Sequence, residues 1–145
     1  MVADAKTLFE EYARSLEIDL NFQDFDKELS DFPGQYSLPS GCLFLAHYKN
    51  MAIGCVGLRA YDKGICEMKR LYVCPDFRGM NVGELLCHAV IKAAKDIGYE
   101  RMRLDTLPSM ETAINLYKSM GFKQIAPYRF NPVEGTVYLE LKLKG

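Results

Sequence analysis

Apolar and polar positions recur along this chain with two different periods. Between Asp4 and Leu16, the residues Ala5, Leu8, Phe9, Tyr12, Ala13 and Leu16 fall at helical spacing with charges between them, which predicts an amphipathic helix. A second short helix is predicted at Phe25–Leu29, after the polar turn Asn21-Phe22-Gln23-Asp24, and Asp31-Phe32-Pro33-Gly34 breaks it. Beyond the loop Pro39-Ser40-Gly41 the pattern becomes strand-like. Cys42–Tyr48 reads as a buried strand, Lys49-Asn50 as a turn and Met51–Tyr61 as the antiparallel return. Asp62-Lys63-Gly64 turns the chain into a third strand, Ile65–Val73.

The helical period returns at Gly83–Ile97, where Leu86, Ala89, Val90, Ala93, Ala94 and Ile97 form one apolar face and Gly98 follows as a cap. Tyr99–Leu107 is the next strand, and the order strand, helix, strand implies a parallel crossover. Ser109 is expected to cap a helix whose core positions are Ala113, Ile114, Leu116, Tyr117 and Met120, with Gly121 as its stop. The last strands are Phe122–Ala126 and Thr136–Leu143, joined by the loop Tyr128–Gly135. The pattern predicts one α/β domain, residues 1–145, with a mixed sheet and flanking helices.

Composition narrows the function classes. A net charge of −1, without blocks of like charge, argues against an electrostatic grip on nucleic acid. The five cysteines lack CxxC spacing and only two histidines are present, which disfavours a disulfide framework and a metal site and suits the reducing cytoplasm. No apolar run has the length of a membrane span, and the N-terminus lacks a signal-peptide pattern.

The chemistry concentrates in Glu67–Glu84. An extended run ends at Pro75, and the loop Arg78-Gly79-Met80-Asn81-Val82-Gly83 opens the longest amphipathic helix. A strand that feeds a helix N-terminus through such a loop gathers free backbone N–H groups at the positive end of the helix dipole, which suits a pyrophosphate. Gly79 and Gly83 permit close approach, Asn81 tolerates a left-handed backbone, and Arg78 adds a cation. Taken alone, an Arg and two glycines before a helix are more often an ordinary turn.

Here the chain resembles the GNAT superfamily of acetyl-CoA-dependent N-acetyltransferases. Arg78–Gly83 matches the family loop Arg/Gln-x-x-Gly-x-Gly/Ala, with Asn81 in place of the middle glycine. The run Glu67–Val73 looks like the family's central strand. A second signature, Ala-x-x-Leu-Tyr-x-x-x-Gly-Phe, is complete as Ala113, Leu116, Tyr117, Gly121 and Phe122. Met110 stands where the family often has Asn. The chain also begins in a helix rather than a strand, so the sheet either lacks the family's first strand or recruits one elsewhere.

The resemblance implies a GNAT-like fold with a splayed parallel pair of central strands and acetyl-CoA as cosubstrate, with no metal. Pantetheine is expected on main-chain groups of Leu71, Tyr72 and Val73, with the Val73 N–H facing the developing oxyanion. The pyrophosphate is expected on the amides of Arg78, Gly79, Met80, Asn81, Val82, Gly83 and Glu84, and Asn115 is a further candidate near the cofactor. Tyr117 is the candidate acid for the departing thiolate, against the plainer role of core aromatic.

Glu67 and Asp105 are the candidate bases, each weighed against a structural ion pair with Lys69, Arg70, Arg101 or Arg103. Strand alternation puts Glu67 on the face of Leu71 and Val73, which favours it slightly. Arg70, Tyr128 and Asn131, with Arg129 and the Asn21–Asp24 turn, are candidates for the acceptor pocket, although for any one of these residues a solvated loop position is the more common reading. The expected partner is a small-molecule amine or amino acid, with a homodimer left open. A protein N-acetyltransferase and a non-catalytic CoA-binding module are the alternatives. Cys66 and Cys74 flank the key strand, but neither histidine is spaced as a paired base, so inert thiols are expected.

Overall fold

The computed structural model describes residues 2–16 and 25–144, so the Asn21–Asp24 turn lies outside the described residues. Helices α1 (Val2–Ser15) and α2 (Phe25–Ser30) lead into strands β1 (Cys42–Tyr48), β2 (Met51–Asp62) and β3 (Ile65–Val73). Helix α3 (Val82–Ile97), β4 (Arg101–Thr106), α4 (Glu111–Ser119), β5 (Lys123–Gln124) and β6 (Val137–Lys142) complete the chain. The sheet order is β1-β2-β3-β4-β6-β5, with β3–β4 as the one parallel pairing among these strands. Among the described residues no strand precedes β1, which therefore forms an edge.

Alternation along the strands sorts side chains onto two apolar layers. Val56, Leu58, Cys66, Met68, Met102, Leu104 and Leu139 face α3 and α4, where Leu86, Val90, Ala94, Tyr117 and Phe122 meet them. On the opposite face Cys55 and Tyr72 pack with Leu8 and Phe9 of α1 and with Phe25 and Tyr36. Phe9 is fully buried, edge-on to Tyr36 at a centroid distance of 5.5 Å. The apolar stripe predicted for the first helix thus seals one face of the sheet, as an amphipathic helix must.

Two boundaries differ from the sequence expectation. The strand predicted at Phe122–Ala126 contracts to Lys123–Gln124, because it pairs with β6 over only two registers and the chain then leaves into the loop that carries Tyr128. Ser109 does not cap α4. The N-cap position belongs to Met110 (φ −91°, ψ 59°), which makes no side-chain cap bond. Leu107–Met110 forms a turn closed by the Met110 N–H on the Leu107 carbonyl at 3.0 Å, leaving Ser109 one residue short of the helix.

Gly54 shows how tightly the start of α3 is fitted. It lies opposite Val73 in the β2–β3 register, and a Cβ there would sit 3.0 Å from the Tyr72 carbonyl oxygen and 3.1 Å from Leu86. Gly54→Ala is expected to cost about 1–3 kcal/mol, the usual range for overpacking, seen as a lowered urea midpoint with an unchanged m-value.

Candidate functional site

A bulge in β3 creates the site. The register pairs Cys55 with Tyr72 and Gly57 with Lys69, so Arg70 and Leu71 together oppose Val56. Arg70 takes a left-handed conformation at φ 61°, an uncommon state for a residue with a Cβ, and such strain is held by surrounding contacts. Those contacts include a two-point ion pair with Glu28 (3.1 and 3.0 Å) and the Phe25 ring, 5.1 Å from the guanidinium. The expected acceptor residue Arg70 is therefore engaged with α2.

The bulge also resets the alternation. Cys66 and Met68 face the α3 layer before it, and Leu71 and Val73 face the same layer after it. Glu67 therefore lies on the opposite face from Leu71 and Val73, and the alternation that favoured it as a base does not hold.

Parallel pairing of β3 with β4 stops at Glu67 and Arg103, while β4 continues along β6 to Thr106. The separated strand ends border a small cleft that is partly open to solvent. Lys69 and Leu71 line it from β3, Asp105 from β4 and Tyr117 from α4, with Asn131 reaching in from the β5–β6 loop. Glu67 and Asn115 are not among its lining residues.

At the end of β3, a short 3-10 turn (Pro75–Phe77) leads to the glycine loop. Gly79 (φ 81°) and Asn81 (φ 63°, ψ 19°) are both left-handed, so Asn81 carries the conformation that a glycine would adopt there. Asn81 caps α3 without a side-chain hydrogen bond, leaving the first-turn N–H groups of the helix to an outside acceptor. Nothing lies within 4 Å of where a Gly79 Cβ would point, whereas at Gly83 it would approach Leu116 (3.7 Å) and Val73 (3.9 Å). The loop is thus open outward and packed inward. Arg78 donates from Nε to the Val73 carbonyl at 3.0 Å. These features fit a pyrophosphate group.

Tyr117 is buried beside Phe122 at a centroid distance of 5.7 Å while bordering the cleft. Burial raises its phenol well above the ordinary value, with Cys87 and Tyr12 adding to the effect, so the hydroxyl keeps its proton. Asp105 accepts a long hydrogen bond from Asn131 (3.4 Å) and stands 3.8 Å from the Lys69 ammonium. Lys69 is only 3% exposed. Burial, with the neighbouring Arg70 charge, pulls its pKa down to about 7 despite the nearby carboxylates of Glu67 and Asp105. Lys69 entered the sequence reading only as an ion-pair partner. The available signal was a lysine alternating with Glu67 inside an otherwise apolar strand.

Glu67 is fully buried and saturated. It accepts hydrogen bonds from Arg59 Nε (2.9 Å), Arg129 Nη2 (2.8 Å) and the Tyr128 hydroxyl (2.7 Å). Burial pushes its pKa upward, but the charges of Lys69, Arg59 and Arg129 and the Tyr128 hydroxyl together hold it below the ordinary carboxylate value. The loop bearing Tyr128 and Arg129 is further tied down by Tyr61 and Tyr138, whose hydroxyls donate to the Tyr128 and Arg129 carbonyls at 3.1 and 2.9 Å. Arg101 and Arg103 pair with Glu140 rather than with either candidate base. The thiols of Cys55, Cys66 and Cys87 are each pushed up to about 12 by burial, which leaves them inert at neutral pH.

The arrangement matches known proteins. The sequence model of the Acetyltransferase (GNAT) family matches residues 5–122. An uncharacterized N-acetyltransferase of Schizosaccharomyces pombe is 41% identical over 142 residues, covering 97% of this chain and 87% of the relative. A counterpart in Dictyostelium discoideum is 33% identical over 205 residues, covering 99% and 95%. Among solved structures, a GNAT-family acetyltransferase of Staphylococcus aureus superposes with a TM-score of 0.80 at 22% identity over 96% of this chain and 93% of its own, a likeness of fold. A GNAT acetyltransferase of Elizabethkingia anophelis with acetyl-CoA bound gives a TM-score of 0.63 at 28% identity over 87% and 92%. With more than half of its length matched by the family and two relatives aligned over nearly the whole of it, the chain belongs to the acetyltransferase (GNAT) family of enzymes.

Proposed function

We propose that this enzyme moves the acetyl group of acetyl-CoA to the primary amine of a small molecule or amino acid by direct attack. The observation that carries the reading is the meeting of Tyr117, Asp105 and the unpaired end of β3 around one cleft, beside an outward-open glycine loop. The acetyl-CoA-bound Elizabethkingia relative supports the choice of cosubstrate.

In this reading the first-turn amides of α3 and the Arg78 loop hold the pyrophosphate, and main-chain groups of Leu71–Val73 hold the pantetheine. The Val73 N–H donates to the thioester oxygen as negative charge builds there. Asp105 takes the proton that the acceptor ammonium must lose before its nitrogen has a lone pair to attack with, and Asn131 holds that carboxylate from the loop side. The C–N bond forms, the C–S bond breaks, and Tyr117 gives its proton to the departing thiolate. Asp105 is preferred to Glu67 because it borders the cleft, whereas Glu67 is locked between two arginines and a tyrosine.

Release of free CoA thiol from acetyl-CoA in the presence of an amine panel tests the reading. Asp105→Asn is expected to lower kcat by about a hundredfold, the usual worth of a general base, with the KM for acetyl-CoA nearly unchanged. Thiol release that is unaffected by Asp105→Asn removes Asp105 from the mechanism. Acetyl-CoA binding without thiol release across the panel instead identifies a non-catalytic CoA-binding protein.

A further inference from the structure

Beside α2 lies a second cavity that the transfer chemistry does not use. It is an open groove of about 820 Å³, and it shares no lining residue with the cleft around Tyr117. Arg59 of β2 and Arg129 of the β5–β6 loop line it opposite Lys27, Glu28 and Asp31, and Phe130 adds an aromatic ring. The two cavities stand back to back. Glu28 lines the groove while its partner Arg70 lines the cleft, and Arg129 lines the groove while Asn131, two residues on, lines the cleft.

The charges of the groove do not balance. Glu28 is matched by Arg70 at 3.0 Å, and the exposed Lys27 and Asp31 offset each other at the rim. Arg59 and Arg129, by contrast, share the single carboxylate of buried Glu67. Two mostly buried guanidiniums on one carboxylate leave a positive charge over, and charges in such a setting are normally paired. The donors are out of balance as well. Arg129 reaches Glu67 through Nη2, while its Nε is buried with no hydrogen-bond partner. An arginine that served only to clamp Glu67 would present its two-pronged fork to that carboxylate. The guanidinium is nevertheless held in place, its carbon 5.3 Å from the Tyr61 ring centroid and 5.5 Å from that of Tyr128. Next to it Phe130 is 79% exposed, a large apolar ring beside an unbalanced cation.

The geometry points to a binding site for a small organic carboxylate in this groove, its charge on Arg129 and Arg59 and its apolar body against Phe130 and Tyr61. A single negative charge restores the balance, which favours a monocarboxylate over a phosphate dianion. Aromatic rings with a few placed polar groups are the usual lining of a small-molecule site. A guanidinium already fixed between two rings loses little further freedom when the ligand arrives. The same chemistry serves a carboxylate carried by the acceptor amine and one on a separate ligand. The site itself stands apart from the acetyl-transfer reading.

The test titrates acetate, butyrate, benzoate and phenylacetate into the enzyme by calorimetry, beside their neutral amides and inorganic phosphate. The best carboxylate is expected to bind about tenfold or more tightly than its amide, the worth of a hydrogen bond to a charged group. Arg129→Gln is expected to bring acid and amide level. Lys27→Glu, a change at an exposed rim position, is expected to reduce the preference without disturbing the fold. Equal binding of acid and amide by the wild type, or no binding of any carboxylate, overturns the inference, and both are read even when the Gln variant fails to fold. A folded Gln variant or a Lys27→Glu variant that keeps the full preference also overturns it, as does phosphate binding more tightly than every carboxylate. Kinetics with an acceptor found in the amine panel then separate the two sources. A carboxylate that raises the acceptor KM at unchanged kcat assigns the groove to the acceptor's own carboxylate, and one that binds without changing that KM assigns it to a separate ligand. Either result upholds the site, and failure of acetyl transfer across the panel leaves the binding result standing.

Discussion

Tyr117→Phe is expected to lower kcat by about a hundredfold or more while leaving the KM for acetyl-CoA within a few-fold of wild type. The substitution removes one oxygen and keeps the ring, so the contact with Phe122 and the packing against the α3 layer persist. What disappears, in the proposed mechanism, is the proton donor for the thiolate, and a positioned acid contributes about 10²–10⁴ to such a step. A loss confined to kcat marks an interaction made in the transition state, whereas a loss shared with KM marks ground-state binding. The raised phenol pKa fixes the sign of the pH dependence. The acting form is the protonated one, so the alkaline limb due to this group lies above the ordinary tyrosine value of 10.0. Steady-state kinetics across the alkaline range check both points. An unchanged kcat and pH profile in the Phe variant reduces Tyr117 to a core aromatic.

Much of this site is written in local sequence. The three-strand meander, the long helix α3 and the loop before it are local patterns, and the observed strand Cys42–Tyr48 coincides with the predicted one. Asn81 was legible too, since a left-handed position needs glycine or a residue that tolerates that backbone. The bulge at Arg70 was not. Its left-handed backbone is held by Glu28 and Phe25, residues of a distant helix, so nothing within the strand announces it. Alternation counted straight through the bulge assigned Glu67 to the wrong face. Ser109 failed for a related reason: its residue type favours a cap, but the Leu107–Met110 turn decides where the helix begins. Arg59 faces Glu67 across the β2–β3 hairpin, but Tyr128 and Arg129 lie 61–62 residues away, a distance at which local pattern carries no information.

Glu67 is the second position at which a large effect is expected, and there stability and chemistry separate. Glu67→Ala leaves Arg59 and Arg129, 13% and 18% exposed, facing an empty site where their common carboxylate stood. Removing one partner of a buried ion pair costs about 3–5 kcal/mol, which in a chain of this size lowers Tm by roughly ten degrees. The milder Glu67→Gln keeps the volume and loses the charge. Because the Tyr128–Asn131 loop hangs on this carboxylate and carries Asn131 to Asp105, the Gln variant is expected to raise the acceptor KM while retaining most of kcat. The pH dependence of stability also moves. The folded-state pKa of Glu67 is depressed, so its stabilisation is present above the unfolded value of about 4.3 and is lost as pH falls through the folded value. Urea midpoints measured from neutral pH downward should fall less steeply for the Gln variant than for wild type. A Gln variant with wild-type acceptor KM and a kcat lowered a hundredfold would return the role of base to Glu67.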